Sequence, residues 1–153
     1  MNRRLFIQAG AVSSAILMTP FLIASHAQNQ GTVGQNSGQK RHKIVIQVSD
    51  NDPIKWNLAL NNAKNLQEDV GAANVDIEIV AYGPGIGMLK LESPTASRVS
   101  DAIKANIKVI ACENTMRGQK ITREDMLSAI AYVPAGVTEI MTRQGEGWAY
   151  LRP

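Results

Sequence analysis

The length, composition and charge of the chain limit what it can be. With 153 residues, 44% of them hydrophobic, it has material for one domain with a buried core and little for a second. Its formal net charge of +3 comes from 16 basic and 13 acidic residues. Arg3 and Arg4 lie in a segment that is predicted to be removed, so 14 basic residues then face 13 acidic ones. A nucleic-acid-binding surface is therefore not expected.

The cysteine and histidine content excludes two further kinds of site. Cys112 is the only cysteine, so no internal disulfide can form. His42 is the only histidine beyond residue 27, so the usual clusters of histidine and cysteine around zinc are not available. We therefore predict no metal site and no bound cofactor.

The first 27 residues have the pattern of a cleaved signal peptide. The segment Arg3–Ile7, an arginine pair followed by Leu-Phe-Ile, is similar to the twin-arginine export motif, and an apolar run over residues 9–24 follows it. Ser25 and Ala27 place small residues at the −3 and −1 positions of a cut after Ala27. An ordinary Sec signal is the alternative. Both routes lead to the periplasm, and no stable membrane insertion is expected after cleavage.

The chain beyond the leader divides into a linker and one domain. Residues 28–42 are polar and glycine-rich, which predicts a flexible linker, and the folded domain is expected over residues 43–153. The domain opens with a β-branched run at 43–48 that predicts a buried strand.

A helix is predicted directly after this strand. Asp52 is its candidate N-cap, and Pro53 suits the first helical position. Apolar residues spaced three and four apart continue to about Val70, and Gly71 is a typical helix end. We therefore predict one long amphipathic helix between the first two strands.

The middle of the chain predicts two strands joined by a shorter helix. Residues 75–81 alternate apolar and polar side chains, which favours a strand nearer the sheet edge than the first. A helix is expected over about 95–105, and a third strand over 107–111. Strands that alternate with helices of this length predict a mainly parallel sheet.

The last third of the chain continues the alternation. The segment Thr122–Asp125 has a capping-box pattern that predicts the start of another helix. A fourth strand is expected at 130–133, a helix at 135–144 and a terminal strand at 148–151. The residues of the last helix that are predicted to face inward are Val137, Ile140 and Met141.

Two loops lie where α/β sheets place ligands, beyond the carboxyl ends of the strands. The first contains Gly83 and Gly85 after the second strand and either presents backbone amides to an anion or forms a tight turn. It matches neither the dinucleotide-binding fingerprint nor the P-loop.

The second loop begins at Cys112, after the third strand. A helix N-terminus and Arg117 favour the thiolate, whereas Glu113 opposes it; the alternative is an inert buried cysteine. The chain has no second cysteine and no histidine near Cys112 in sequence. Disulfide oxidoreductase and Cys/His hydrolase chemistry are therefore not expected.

Four segments together resemble one known family. They are Tyr82–Ile86, Ala111–Thr115, Val133–Val137 and Gly147–Pro153. In this order they look like the DsrE/DsrF-like sulfur-relay family, and most like an exported branch that ends in a Gly-Trp-Ala-Tyr-type strand. The resemblance covers essentially all of residues 43–153. It implies an α/β fold, namely a three-layer α/β/α domain around a five-stranded parallel sheet. It also implies that the domain assembles as homo-oligomers, often trimers or hexamers.

The resemblance leaves two functional hypotheses. In the first, Cys112 matches the position of the cysteine that accepts persulfide sulfur from a donor and passes it to an acceptor protein. In the second, the domain is a non-catalytic oligomeric module that binds a small ligand at the strand ends. The candidate ligand-binding residues are Gly83, Gly85, Asn114, Thr115 and Arg117. Whether the protein is an enzyme stays open.

Overall fold

A computed structural model describes residues 41–153, so the predicted signal peptide and nearly all of the predicted linker lie outside the described residues. The elements in chain order are β1 (His42–Val48), α1 (Pro53–Val70), a 3-10 turn (Ala72–Asn74), β2 (Val75–Ala81), a 3-10 segment that we term the glycine loop (Gly83–Leu89), α2 (Ala96–Lys104), β3 (Lys108–Cys112), α3 (Glu113–Gln119), β4 (Ala131–Val133), α4 (Gly136–Gly145) and β5 (Ala149–Leu151). No helix among them is long and apolar enough to span a membrane.

The five strands form one sheet in the order β4-β3-β2-β1-β5, and every neighbouring pair is parallel. The larger core lies between the sheet and α1, α2 and the glycine loop. A smaller core, containing Val45, Val80, Ile110 and Ile140, lies between the sheet and α4. The predicted three-layer fold with a five-stranded parallel sheet is thus confirmed.

The predicted boundaries of α1 are confirmed by its caps. The Asp52 side chain accepts a hydrogen bond of 2.8 Å from the Ile54 amide, and Pro53 is the first helical residue. Gly71 follows the helix with a φ of +85°, a conformation that glycine adopts without a steric penalty. Local sequence is sufficient to predict these boundaries because each capping bond joins residues that are close in the chain.

The prediction that β2 lies nearer the sheet edge than β1 is wrong, because β2 is the central strand. Its polar residue Glu78 has an exposure of 0% and is paired with Lys108 and Arg143. Asp76 is paired with Arg41. The polar alternation therefore marks a strand face on which carboxylates are paired, Glu78 fully buried and Asp76 partly exposed.

The helix predicted from Thr122 does not form, although its capping bonds do. The amide and hydroxyl of Thr122 both donate to the Asp125 carboxylate, at 2.8 and 3.0 Å. The next backbone groups bond elsewhere: Leu91 donates to Asp125, and Leu127 donates to Leu89. These long-range bonds and the bridge between Met126 and Lys90 hold the segment as a turn beside the end of the glycine loop, with Met126 buried.

The predicted inward face of α4 is only partly correct. Ile140 is buried, whereas Val137 and Met141 are 61% and 65% exposed. Gly136 and Ile140 are buried, and Arg143, one turn on, is largely shielded and paired with a buried carboxylate. Because the face of α4 that contacts the sheet includes a charged residue, the apolar pattern alone predicts the wrong face.

Candidate functional site

The thiol of Cys112 lies where β3 ends and α3 begins. Side chains alternate along a strand, and Ile110 packs in the core beneath α4, so Cys112 faces the same side. The residue is only 5% exposed, which differs from the accessible thiol that a carrier role predicts.

Gly136, the first residue of α4, lies directly against Cys112. A Cβ at Gly136 would be 3.3 Å from the Cys112 Cβ and 3.1 Å from the Tyr82 Cβ. The Val80 side chain would be 3.2 Å away. The N-terminus of α4 therefore reaches the thiol because no side chain stands between them. Sequence reasoning missed Gly136, for which the only local signal is its position just after Pro134, where a helix can begin.

The environment of Cys112 favours the thiolate. Burial is the largest single effect and would by itself raise the pKa of the thiol. Hydrogen bonds from the Thr115 hydroxyl and from the backbone amides of Gly136 and Thr115 act in the opposite direction. Together they hold the pKa of Cys112 below its ordinary value. The sulfur is thus shielded from solvent and accepts hydrogen bonds from several donors.

The charged neighbours act differently from the prediction. Arg117 donates a hydrogen bond to the Asn114 side chain, and the donors to the sulfur are a hydroxyl and backbone amides. Glu113 is paired with Arg123 at 2.6 Å, so its negative charge is offset beside the thiol. The preference for thiolate stays a prediction, and the groups that favour it are hydrogen-bond donors and not Arg117.

Thr115 joins the glycine loop to the cysteine site. The Gly83 amide donates to the Thr115 Oγ1 at 2.9 Å, and the Gln119 Nε2 donates to the Gly83 carbonyl at 3.1 Å. The Asn114 amide donates to the Pro134 carbonyl at 3.1 Å, which ties the start of α3 to the end of β4. Three loops therefore converge on the carboxyl end of β3.

Gly85 packs against the end of β1 and takes no part in the contacts around the thiol. A Cβ there would lie 2.4 Å from the Val48 carbonyl oxygen and 2.8 Å from the Ser49 amide nitrogen. The glycine loop thus rests directly on the end of β1. Of the predicted ligand-binding residues, Gly83, Asn114 and Thr115 lie together near the thiol, whereas Gly85 serves the fold.

A separate cleft of about 450 Å³ opens near the glycine loop. Its lining residues are Asn51, Trp56, Pro84, Gly87, Lys90, Glu92, Ser93, Pro94 and Gln119. It lies beside α1, whereas Cys112 faces α4, so the cleft and the thiol are on opposite sides of the sheet. None of the predicted ligand-binding residues lines it. Among residues 41–153, no three or more metal-ligating side chains are grouped to hold an ion.

Comparisons with known proteins identify the fold and its relatives. The DsrE/DsrF-like family matches residues 42–153. A protein of unknown function, MTH1491 from Methanobacterium thermoautotrophicum, is 34% identical, covering 73% of this chain and 99% of its own, with a TM-score of 0.70. No curated protein matches the chain.

Two further solved structures share the fold at low identity. The conserved protein of unknown function BT1422 from Bacteroides thetaiotaomicron is 11% identical over 78% of this chain and 98% of its own, with a TM-score of 0.59. The ychN protein from E. coli is 14% identical over 74% of this chain and 99% of its own, with a TM-score of 0.58.

Proposed function

The chain belongs to the DsrE/DsrF-like family, and from that membership we propose that it is a sulfur carrier in which Cys112 holds the transferred atom. One observation carries the proposal: a single shielded thiol lies against the start of α4, and hydrogen bonds from the Thr115 hydroxyl and nearby backbone amides lower its pKa. The thiolate is the nucleophilic form of cysteine, and the same donors suit the negative charge of a persulfide.

The proposed chemistry needs no cofactor and no net oxidant. The Cys112 thiolate attacks the outer sulfur of a sulfane donor such as thiosulfate. The sulfur–sulfur bond of the donor breaks, its electron pair leaves with sulfite, and Cys112 becomes a persulfide. An acceptor thiolate then attacks the outer persulfide sulfur and releases the Cys112 thiolate. Electrons and atoms balance at each step, because one sulfur–sulfur bond forms as another breaks.

The shielding of Cys112 restricts its partners. With 5% exposure, the sulfur is reached either by a small inorganic donor or after the start of α4 moves away. Transfer to an acceptor protein requires the second route, because a protein thiol cannot enter so narrow a site.

Sulfur loading can be measured directly on the protein. After exposure to thiosulfate or polysulfide, the intact mass should rise by one sulfur atom, and a thiol reductant should remove it. A protein that gains no sulfur, and whose thiol is alkylated only after unfolding, would have a structural cysteine.

The cleft beside α1 offers the second hypothesis, a small-ligand-binding module, a site different from the predicted one, since none of the predicted ligand-binding residues lines it. Its walls combine Trp56 and two prolines with five polar or charged side chains, so a polar ligand suits it best. Gly87 keeps it open, since a Cβ there would lie 3.2 Å from the Trp56 Cη2. This hypothesis replaces the first if Cys112 proves inert.

We further propose that the protein works in the periplasm after removal of residues 1–27. The arginine pair and the Ala27 cleavage pattern support this location. Protein recovered from the periplasm should begin at Gln28, which N-terminal mass analysis measures. Replacing Arg3 and Arg4 by lysine should block export by the twin-arginine route, and unchanged export would indicate Sec. Retention of residues 1–27 would contradict the proposal.

We also propose that the domain assembles with copies of itself, as a trimer or hexamer. The exposed Val137 and Met141, one turn apart on α4, support an apolar contact. Light scattering after size exclusion should give three or six times the mass of one chain. Val137→Lys with Met141→Lys should yield monomers, whereas Ile54→Lys, at a more exposed apolar position on α1, should not. A wild-type monomer at micromolar concentration would refute assembly.

A further inference from the structure

α4 is attached to the sheet through little apolar surface. Ile140 is the only large apolar side chain that the helix buries, while Val137 and Met141 face outward. Apolar packing is not directional, and one isoleucine leaves the rotation and axial position of a helix poorly determined. Another contact must therefore fix the position of the α4 N-terminus on the sheet.

That contact is an ion pair at the last turn of α4. Glu78, with an exposure of 0% on the central strand, accepts hydrogen bonds from the Arg143 Nε at 3.3 and 3.2 Å. The Arg143 Nη2 lies 3.2 Å from Glu78 and 2.8 Å from Glu139, and its Nη1 lies 3.0 Å from Glu146. The guanidinium also stacks on the Trp148 ring, 5.0 Å from its centroid. These bonds and the ring contact all favour the observed orientation of the helix.

Gly136 and Arg143 lie on the same side of α4. They are seven residues apart, which is two turns, so a helix held at Arg143 presents Gly136 to the sheet. Between them, Ile140 packs near Val80 and Ile110. A rotation or slip of α4 would move Gly136 away from Cys112 and Tyr82, where contacts are already close.

We propose that the Glu78–Arg143 pair positions α4 so that the Gly136 amide reaches the Cys112 sulfur. Arg143 and Glu78 are positioning residues, because neither touches the thiol. Buried ion pairs add little net stability relative to apolar packing, but their directional bonds specify register. The proposal rests on the proposed function only in taking Cys112 as the working thiol.

The test removes the pair without leaving a charge unpaired at Glu78. In Glu78→Gln with Arg143→Gln, neither buried partner is ionised, so the fold is retained more readily than in either single variant. Arg143→Lys keeps the positive charge but cannot bond Glu78, Glu139 and Glu146 at once. The control is Arg41→Gln with Asp76→Asn, which removes an ion pair of 2.8 Å that involves no residue of α4.

The readout is the pH midpoint of thiolate ultraviolet absorbance, with Cys112→Ser protein as the blank. This signal needs no reagent to reach the sulfur. The double variant should titrate roughly half a pH unit or more above the wild type, because one donor to the thiolate is lost. Arg143→Lys should show a smaller rise, and the control none. Circular dichroism and a cooperative melt identify which variants are folded.

The outcomes separate this inference from the sulfur-carrier proposal. An unchanged midpoint in folded double variant, or in Arg143→Lys if the double variant does not fold, would show that the pair is structural only. A raised midpoint in a protein that takes up no sulfur would support the positioning role and refute the carrier function. A control that titrates as high as the double variant would mean that general loosening, and not the position of α4, sets the thiol's pKa.

Discussion

A Cys112→Ser variant is expected to take up no sulfur from thiosulfate, whereas the wild-type protein gains one atom. Cys112 is the only thiol in the chain, and a serine hydroxyl is not ionised near neutral pH. Serine is nearly the same size and accepts hydrogen bonds from the same hydroxyl and amide donors. The free energy of unfolding should therefore change by about 1 kcal/mol or less. Intact-mass measurement and urea denaturation test both parts.

A second substitution separates loss of the nucleophile from loss of the fold. Cys112→Ala removes the acceptor for the Thr115 hydroxyl and the Gly136 amide, so it should destabilise more than serine, by about 1–3 kcal/mol. Both variants should fail equally in sulfur loading. A serine variant that still gains a sulfur atom would show that the proposed carrier residue is wrong.

Gly85→Ala is expected to destabilise the domain by about 3 kcal/mol, although alanine adds only one methyl group. That methyl would lie 2.4 Å from the Val48 carbonyl oxygen, 2.6 Å from the Val48 carbonyl carbon and 2.8 Å from the Ser49 amide nitrogen. All three atoms belong to the backbone at the end of β1, so no side chain can rotate to make room. The glycine loop must move as a unit, and this disturbs the bond from the Gly83 amide to Thr115.

Gly118→Ala is the matched control. Gly118 lies within α3, and an added Cβ meets no heavy atom within 4 Å. Alanine favours the helix, so this variant should be more stable than wild type by about 0.5–1 kcal/mol. The midpoints of urea denaturation should move in opposite directions for the two variants. Equal shifts would mean that close approach to β1 does not constrain Gly85.

The location of the thiol at the carboxyl end of a strand was predictable, but its surroundings were not. The run that ends at Cys112 is apolar and short, and a strand of a parallel sheet ends where loops gather. The Gly136 amide that contacts it follows a different strand and becomes a neighbour only when β3 and β4 pair. Likewise, the cleft beside α1 combines residues from α1, α3 and several loops, and none carries a local signal of its own.

The sequence by itself determined those features that depend on neighbours in the chain. Periodicity and capping residues located α1 from Asp52 to Gly71, and the alternation of strands and helices predicted a parallel sheet. Tertiary structure decided which polar residues are buried. Glu78 is at the centre of the sheet because Arg143 and Lys108 compensate its charge, and Arg143 turns inward for the same reason. A charged side chain is buried only where an opposite charge pairs with it, and here the paired residues are distant in sequence.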